Sequence, residues 1–352
     1  MKLRTYVYIL ITVALFTNAC KKKNEYLPPN FNYKIDPLNI TENVNVGAYF
    51  YNYASTDWAK KYSDMPLLGE YNSLTAMVMA QQRNWADSAG VDFFIFNWNG
   101  ATAGDPLLTS FINGRNNKVK MVINYNTSHL AATNASPLTG AKLTTMINEF
   151  KSLVTNRFTK DYYYSLNGQP VILISPLNLP STASSSIDYT TVIPAVRKSL
   201  DSVGIHPYFI GEITSGWLPP VRYAPAIKVM DGVDLTDWST SVYDRSVFMA
   251  SFVDQNWKNW TDSTTTWNVD YVPCIFPGFN DKTMTPASAL YNIDRSKDFY
   301  TDFCNVAKRN MGKKRVVLIN SWNDFQKGTA LEPAKAFGST FLNITRSQFK
   351  IQ

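Results

Sequence analysis

Short apolar runs of six or seven residues recur eight times along this chain, most of them separated by segments with helical periodicity. Several runs are apolar on successive residues, which is typical of parallel strands covered on both faces. Strands that alternate with helices predict a parallel sheet. Eight such units predict a closed (β/α)₈ TIM barrel of the α/β class, a single domain over residues 43–352. The runs are Val46–Tyr51, Asp92–Trp98, Lys120–Tyr125, Pro170–Ser175, Pro207–Ile213, Val229–Leu235, Tyr271–Phe276 and Arg315–Asn320.

The segments between the runs predict helices. Apolar residues keep helical spacing from Leu143 to Val154 and, less regularly, from Leu74 to Trp85. Gly90 and Gly204 each follow such a pattern, at the position where a left-handed residue commonly ends a helix. We therefore expect these helices to bury their apolar faces against the barrel.

The N-terminus has the pattern of an export signal. Lys2 and Arg4 precede an apolar run over residues 6–16, which is too short to span a bilayer. The run ends at Ala19-Cys20, so we predict a lipoprotein signal peptide over residues 1–19 and a polar tether over residues 20–42 from lipidated Cys20. The protein would then be exported and anchored to a bacterial outer membrane, on either face. The alternative is ordinary signal cleavage, with Cys20 incidental.

Charge and composition exclude several functions. The 34 basic residues include Lys2 and Arg4, so the mature chain would carry 32 against 27 acidic residues. That small excess of basic residues does not indicate a nucleic-acid-binding surface. The lipid anchor is the only membrane contact expected. Two histidines and no Cys/His cluster predict neither a metal site nor a cofactor. Cys274 and Cys304 lie in apolar segments and are expected to be buried free thiols.

Residues just past the ends of the predicted strands are the candidates for function, because TIM barrels carry their sites at the C-terminal ends of the strands. This set is rich in tryptophan, tyrosine, asparagine and aspartate, which suit the apolar faces and hydroxyl groups of sugars. Each residue singly is equally explained by rim packing or helix capping, but together they favour a carbohydrate ligand. The set comprises Tyr51, Tyr53, Asn97, Trp98, Asn99, Tyr125, Asn126, Ser175, Glu212, Asp237, Trp238, Asn280, Asp281, Ser321, Trp322, Asn323 and Asp324.

Six motifs, in order along the chain, resemble glycoside hydrolase family 99, which includes endo-α-mannosidases and endo-α-mannanases. The resemblance runs from residue 46 to about residue 342 and implies a (β/α)₈ barrel that acts on an α-mannan-like glycan. The motifs lie at residues 46–51, 66–71, 90–98, 167–171, 277–281 and 321–333. The last reads SWNDFQKGTALEP, where the family has SWNEWHEGTxIEP.

The resemblance implies that catalysis depends on the two glutamates of the family's EWHE sequence, one of which acts as acid and base. Here those positions are held by Asp324 and Lys327, while Glu332 is kept from the family motif. The first change keeps a carboxylate and the second replaces an acid with an ammonium group. We therefore expect Asp324 to be catalytic and Lys327 and Glu332 to contact the substrate. A structural role explains Glu332 equally well.

Three functions remain open from the sequence. The protein is a hydrolase that takes its acid from Glu212, Asp237 or Asp281, a lipid-anchored glycan-binding protein without catalysis, or a sugar-transferring enzyme. Each has a polysaccharide or glycan as its ligand, and other glycan-utilisation proteins are candidate partners. The hydrolase is the favoured prediction.

Overall fold

The computed structural model describes residues 31–100, 105–177, 187–213, 221–236, 249–290 and 292–351. Residues 1–30, and with them the predicted signal peptide and Cys20, lie outside this range, as do Asp237 and Trp238. The described part contains ten strands. They are β1 (Asn45–Phe50), β2 (Phe93–Trp98), β3 (Lys120–Asn126), β4 (Ser165–Leu166), β5 (Gln169–Ser175), β6 (Tyr208–Ile213), β7 (Gly232–Leu235), β8 (Asp270–Val272), β9 (Cys274–Ile275) and β10 (Val316–Ile319).

The strands form the predicted barrel. Nine are parallel, in the order β8-β7-β6-β5-β3-β2-β1-β10-β9, and β4 forms a short antiparallel hairpin with β5. Strands β8 and β9 occupy one barrel position, which the sequence predicts as the single run Tyr271–Phe276. The run is divided at Pro273, because proline has no backbone N–H to donate to a ladder. The first half pairs with β7 and the second with β10, which completes the eight positions.

Helices connect most of the strands and cover the barrel from outside. In the residues described after β2 the α-helix has seven residues, and in those described after β6 it has four. The helices are α1 (Ala76–Ala89), α2 (Pro106–Ile112), α3 (Gly140–Leu153), α4 (Tyr189–Asp201), α5 (Ala224–Ile227), α6 (Met249–Trp267), α7 (Lys297–Asn310) and α8 (Thr340–Phe349). None of the helices in the described ranges is long and apolar enough to cross a membrane.

Helix α1 buries a different face from the one predicted. It ends at Gly90, where φ is 73°, as expected, but Met77 is 82 % exposed. The buried face instead carries Gln82 and Arg83. The Arg83 guanidinium donates to the carbonyl oxygens of Phe111, at the end of α2, and of Asn113 and Gly114, which follow that helix. A buried charge of this kind is stable because backbone acceptors replace its water.

The segment that precedes the barrel contributes to the folded unit, which begins at Lys34. Ile35 is buried, and the backbone N–H of Leu38 donates to Asn305 Oδ1 on α7 at 2.9 Å. These residues of the predicted tether therefore pack on the barrel. The prediction for the two cysteines is confirmed, because Cys274 and Cys304 are both buried and free.

Candidate active site

A cavity of about 630 Å³ opens at the C-terminal ends of the barrel strands. Every barrel position contributes to its wall, which is the arrangement expected for a TIM-barrel site. Its polar lining consists of carboxylates, amides, hydroxyl groups and one ammonium group. These residues are Asp105, Glu212, Asp324, Asn52, Asn97, Asn124, Asn320, Tyr49, Tyr51, Ser175, Thr236, Thr329 and Lys327.

Glu212, near the end of β6, is held on three sides. Its Oε1 accepts a hydrogen bond from Thr236 Oγ1 at 3.0 Å, and its Oε2 accepts one from Asn124 Nδ2 at 2.8 Å. The Tyr49 hydroxyl lies 3.4 Å from Oε2. Burial raises the pKa of Glu212, while these hydrogen bonds oppose the rise. The residue is 8 % exposed, so it is a fixed carboxyl group at the cavity wall.

Asp324 lies in the loop after β10 and is fixed by backbone donors. Its Oδ1 accepts the N–H groups of Gln326 at 3.1 Å and Lys327 at 3.0 Å. Its own N–H donates to Ser321 Oγ at 2.6 Å. Burial raises the pKa of Asp324, whereas the backbone donors and the Lys327 ammonium group favour its charged form. No described residue hydrogen-bonds to Oδ2, and the side chain lines the cavity.

Tyr51 lines the same cavity as these two carboxyl groups and is 41 % exposed. The pKa of its phenol is raised, first by desolvation within the mouth and then by the charges of Asp324 and Glu212. The phenol is therefore within electrostatic reach of both. Asn323 holds the Tyr51 backbone in place, accepting its N–H at 2.8 Å and donating to its carbonyl at 2.9 Å. The structure therefore places Tyr51 at the cavity, and its contact with a sugar stays a prediction.

Two aromatic candidates point away from the cavity. Trp98 is 8 % exposed, and its ring centroid lies 5.4 Å from that of Tyr125. Tyr125 is fully buried against Phe150 of α3, and its hydroxyl donates to Glu149. Both residues face the helix layer, because neighbouring residues in a strand point to opposite faces. The structure therefore does not bring Trp98 and Tyr125 to the described cavity, and their contact with a sugar stays a prediction.

The residues that reach the cavity from β2 and β3 are one position earlier than those two aromatics. Asn97, a predicted site residue, and Asn124, which the prediction missed, both line it. Asn126 is instead a capping residue, whose side chain accepts the N–H of Ser128 at 3.0 Å. It begins a 3₁₀ turn over Thr127–Leu130. The sequence signal for Asn124 was its place two residues before the strand end, on the inward face.

The segment after β10 is largely buried structure. Trp322 is 0 % exposed; its Nε1 donates to Gln82 and its ring packs 5.0 Å from Phe94. Asn323 is also fully buried, and Glu332 is 1 % exposed, with its Oε2 accepting the Tyr71 hydroxyl at 2.7 Å. None of these three residues lines the described cavity, so the structure does not bring them to the predicted site. Asp324, Lys327 and Thr329 are the residues of the 321–333 segment that line the cavity.

Two further acidic residues, Asp281 and Asp234, lie in different surroundings. Asp281 begins a 3₁₀ turn, Asp281–Thr283, and is not among the cavity-lining residues that the structure describes. Asp234 on β7, which the prediction missed, is buried beside Glu212. Its signal in the sequence is an acid between Val233 and Leu235, within the otherwise apolar strand. Across the described ranges, no group of three or more His, Cys, Asp or Glu side chains is arranged to hold a metal ion.

We expect Trp322→Ala to destabilise the protein by about 3–5 kcal/mol, because it removes a fully buried ring and leaves the Gln82 oxygen without its donor. Urea unfolding measures this loss. Tyr51→Ala is the control, since Tyr51 already exposes 41 % of its surface and loses less buried area. Equal losses in the two variants would show that Trp322 is no more part of the core than Tyr51.

Comparison with solved structures places the fold among glycoside hydrolases. A glycoside hydrolase-like protein matches with a TM-score of 0.81 and 23 % identity, over 91 % of this chain and 98 % of the other. The GH99 endo-alpha-mannosidase from Bacteroides thetaiotaomicron, in complex with bis-tris-propane, matches with a TM-score of 0.65 and 19 % identity. That match covers 88 % of this chain and 97 % of the enzyme. The chain has the fold of these enzymes.

Sequence comparison adds a second family. A family model described as Glycosyltransferase WbsX matches residues 220–345, which include β7 to β10 and the Asp324 loop. A search of curated proteins found no match. The likeness to GH99 that the sequence motifs indicated is therefore confirmed at the level of the fold.

Proposed function

We propose that this protein is a glycoside hydrolase that acts on a polysaccharide or glycan, with Asp324 and Glu212 as its carboxyl pair. Hydrolysis through carboxyl groups needs two of them around the glycosidic bond. The observation that carries the proposal is that Glu212 and Asp324, from distant parts of the sequence, line one cavity at the barrel mouth. The cavity's volume of about 630 Å³ is typical of small-molecule sites.

The surroundings of the two groups suggest different roles. The charged form of Asp324 is favoured by two backbone N–H groups and the Lys327 ammonium group, which suits a base or nucleophile. Glu212 lacks a neighbouring cation among the described residues, and burial raises its pKa while its hydrogen bonds oppose the rise. Once Glu212 holds a proton, it can give that proton to the leaving oxygen. Lys327 therefore stabilises the charged form of Asp324 and does not supply the acid.

The cavity lining supports a sugar ligand. Asn97 and Asn320 present amide groups, which can donate to and accept from sugar hydroxyls. Tyr51 presents a half-exposed ring at the mouth for stacking against a sugar's apolar face. An α-mannan-like substrate is proposed from the likeness to an endo-alpha-mannosidase.

Sugar transfer is the second candidate, since the matching family model is described as a glycosyltransferase. The same carboxyl pair would then act on a sugar donor, with a sugar hydroxyl in place of water as acceptor. A glycan-binding protein without catalysis is the third. These functions differ in their products, which makes them separable in one experiment.

The experiment incubates the full chain with a panel of α-mannans and other polysaccharides and separates the products by chromatography. We expect the wild type to release oligosaccharides and Glu212→Gln to be slower by about 10²–10⁴-fold, because it lacks the transferable proton. Glu70→Gln is the matched control: Glu70 is exposed and accepts only the Tyr62 hydroxyl, at 3.2 Å.

Other outcomes would replace the proposal. Lengthened glycans formed from activated sugar donors, without net release, would favour transfer. Retention of a glycan without any product would favour a binding protein. Equal release by wild type and Glu212→Gln would exclude Glu212 as the acid.

A further inference from the structure

A second carboxyl group lies directly behind Glu212. Asp234 on β7 is the register partner of Glu212 on the adjacent parallel strand β6. Both side chains point into the barrel, and Asp234 is 0 % exposed. No described residue forms a salt bridge with either group. Two carboxylates this close, with no cation between them, repel strongly in a buried site.

Tyr49 on β1 joins the two acids. Its hydroxyl oxygen lies 3.0 Å from Asp234 Oδ2 and 3.4 Å from Glu212 Oε2. A phenol has a single proton, and sharing it between two acceptors weakens both hydrogen bonds. Both contacts can be full hydrogen bonds only if one of the acids is protonated and donates to the phenol oxygen.

The contacts of the two acids identify which one carries the proton. Glu212 accepts hydrogen bonds from Asn124 and Thr236, which favour its charged form. Asp234 has no comparable support: its Oδ1 finds no well-aligned donor among the described residues, and the Leu235 backbone is the weak contact that remains. Leaving a charge there would be costly. The chain of donors therefore runs from Asp234 through the Tyr49 hydroxyl to Glu212.

The remaining titratable groups around Asp234 do not supply a counter-charge. Tyr271 on β8 and Cys274 on β9 are both fully buried, and burial raises the pKa of each far enough to keep it neutral near pH 7. Burial, followed by the charge of Glu212, also raises the pKa of Asp234. The cluster of Glu212, Tyr49 and Asp234 thus carries one proton on its two carboxyl groups.

We propose that Asp234 is a positioning residue of the candidate site, which stores a proton behind Glu212 and returns it through the Tyr49 hydroxyl. In the transfer, Tyr49 gives its proton to Glu212 Oε2 and takes the proton of Asp234 Oδ2. A neutral Glu212 and an ionised Asp234 result, with the phenol unchanged. The catalytic use of this proton rests on the proposed function of Glu212, but its presence on Asp234 does not.

Infrared spectroscopy tests the proposal without any substrate, because protonated and ionised carboxyl groups absorb at different frequencies. We expect the wild-type minus Asp234→Asn difference spectrum at neutral pH to show a protonated carboxyl band. Asp161→Asn is the control: Asp161 is 85 % exposed and paired with Arg115 at 2.5 Å, so its difference spectrum should show an ionised group.

Two further variants keep the test decisive if Asp234→Asn does not fold. In Glu212→Gln the midpoint for loss of the Asp234 band should fall by roughly 1–3 pH units, because a neighbouring negative charge is removed. In Tyr49→Phe the band should persist but shift in frequency, since its hydrogen-bond partner is lost. The proposal would be overturned if Asp234 is ionised at neutral pH, or if Glu212→Gln leaves the pH midpoint of the Asp234 band unchanged. Both outcomes can be read whether or not the protein hydrolyses glycans.

Discussion

Asp324→Asn should reduce glycan hydrolysis by about 10²–10⁴-fold, the loss typical when a charged catalytic group is removed. The amide keeps the shape of the carboxyl group, and its oxygen can still accept the N–H groups of Gln326 and Lys327. The loop should therefore fold as before, and glycan affinity should change by less than about tenfold, or 1.4 kcal/mol. Two measurements separate the effect on rate from the effect on affinity. Turnover is measured from the released oligosaccharides, and glycan affinity is measured by calorimetry.

Asp281→Asn is the matched control, because this acid lies at the same rim without lining the described cavity. It should retain nearly full turnover. If Asp324→Asn is as active as the wild type, the catalytic assignment taken from the GH99-like motif is wrong for this segment. If both variants lose activity equally, rim charge matters more than the position of Asp324.

Lys327 offers a companion test of how Asp324 is kept charged. The ammonium group lowers the pKa of Asp324 against the effect of burial. Replacing it in Lys327→Met should raise that pKa, so the acid limb of the pH–rate profile should move to higher pH. Lys327→Glu should move it further, because a negative charge replaces a positive one. Only if the wild-type site lacks a proton donor should Lys327→Glu increase turnover on an α-mannan.

The strand and helix order could be predicted from the sequence because parallel barrel strands are apolar on successive residues. That same property hides which side chain points inward. Trp98 and Tyr125 were chosen at strand ends where Asn97 and Asn124 face the cavity, since one residue of offset reverses the orientation. A polar residue within an otherwise apolar strand, such as Asn97 or Asn124, is the clue to the correct face.

The buried face of α1 and the role of Asp234 depend on tertiary contacts, which the spacing of apolar residues does not reveal. Gln82 and Arg83 are buried on α1 because they satisfy the Trp322 indole and the carbonyl groups after α2. A helix chosen by apolar spacing alone therefore turns the wrong face inward. Asp234 was missed for the opposite reason: an acid within an apolar strand looks like an interruption until Glu212 and Tyr49 are seen beside it.

Glu332 is the residue for which the sequence left substrate contact and structure equally open, and its environment makes the structural role measurable. Tyr71 donates to it, and the Tyr71 oxygen accepts from Asn323 at 3.1 Å. Burial raises the pKa of Glu332 from 4.5 to about 8, while its hydrogen bonds to Tyr71 and Gln82 oppose the rise. The folded protein therefore holds a proton on Glu332 that the unfolded chain has lost above pH 4.5.

Because the folded state binds this extra proton, stability should fall as the pH rises from about 4.5 to about 8. Each unit of pKa difference corresponds to about 1.4 kcal/mol, so the total is several kcal/mol. In Glu332→Gln the side chain is neutral at every pH. The variant should therefore match the wild type near pH 4.5 and become more stable than it above pH 8.

Denaturant unfolding at several pH values, taken as the difference between variant and wild type, isolates this contribution from other titrating groups. Glu70→Gln is a matched control, because Glu70 also accepts a tyrosine hydroxyl but lies at the surface, where its charge stays hydrated. Its difference from the wild type should be small and flat over the same range. A Glu332→Gln difference that is equally flat would mean that Glu332 is charged in the folded protein, and a buried anion there would reopen a role beyond packing.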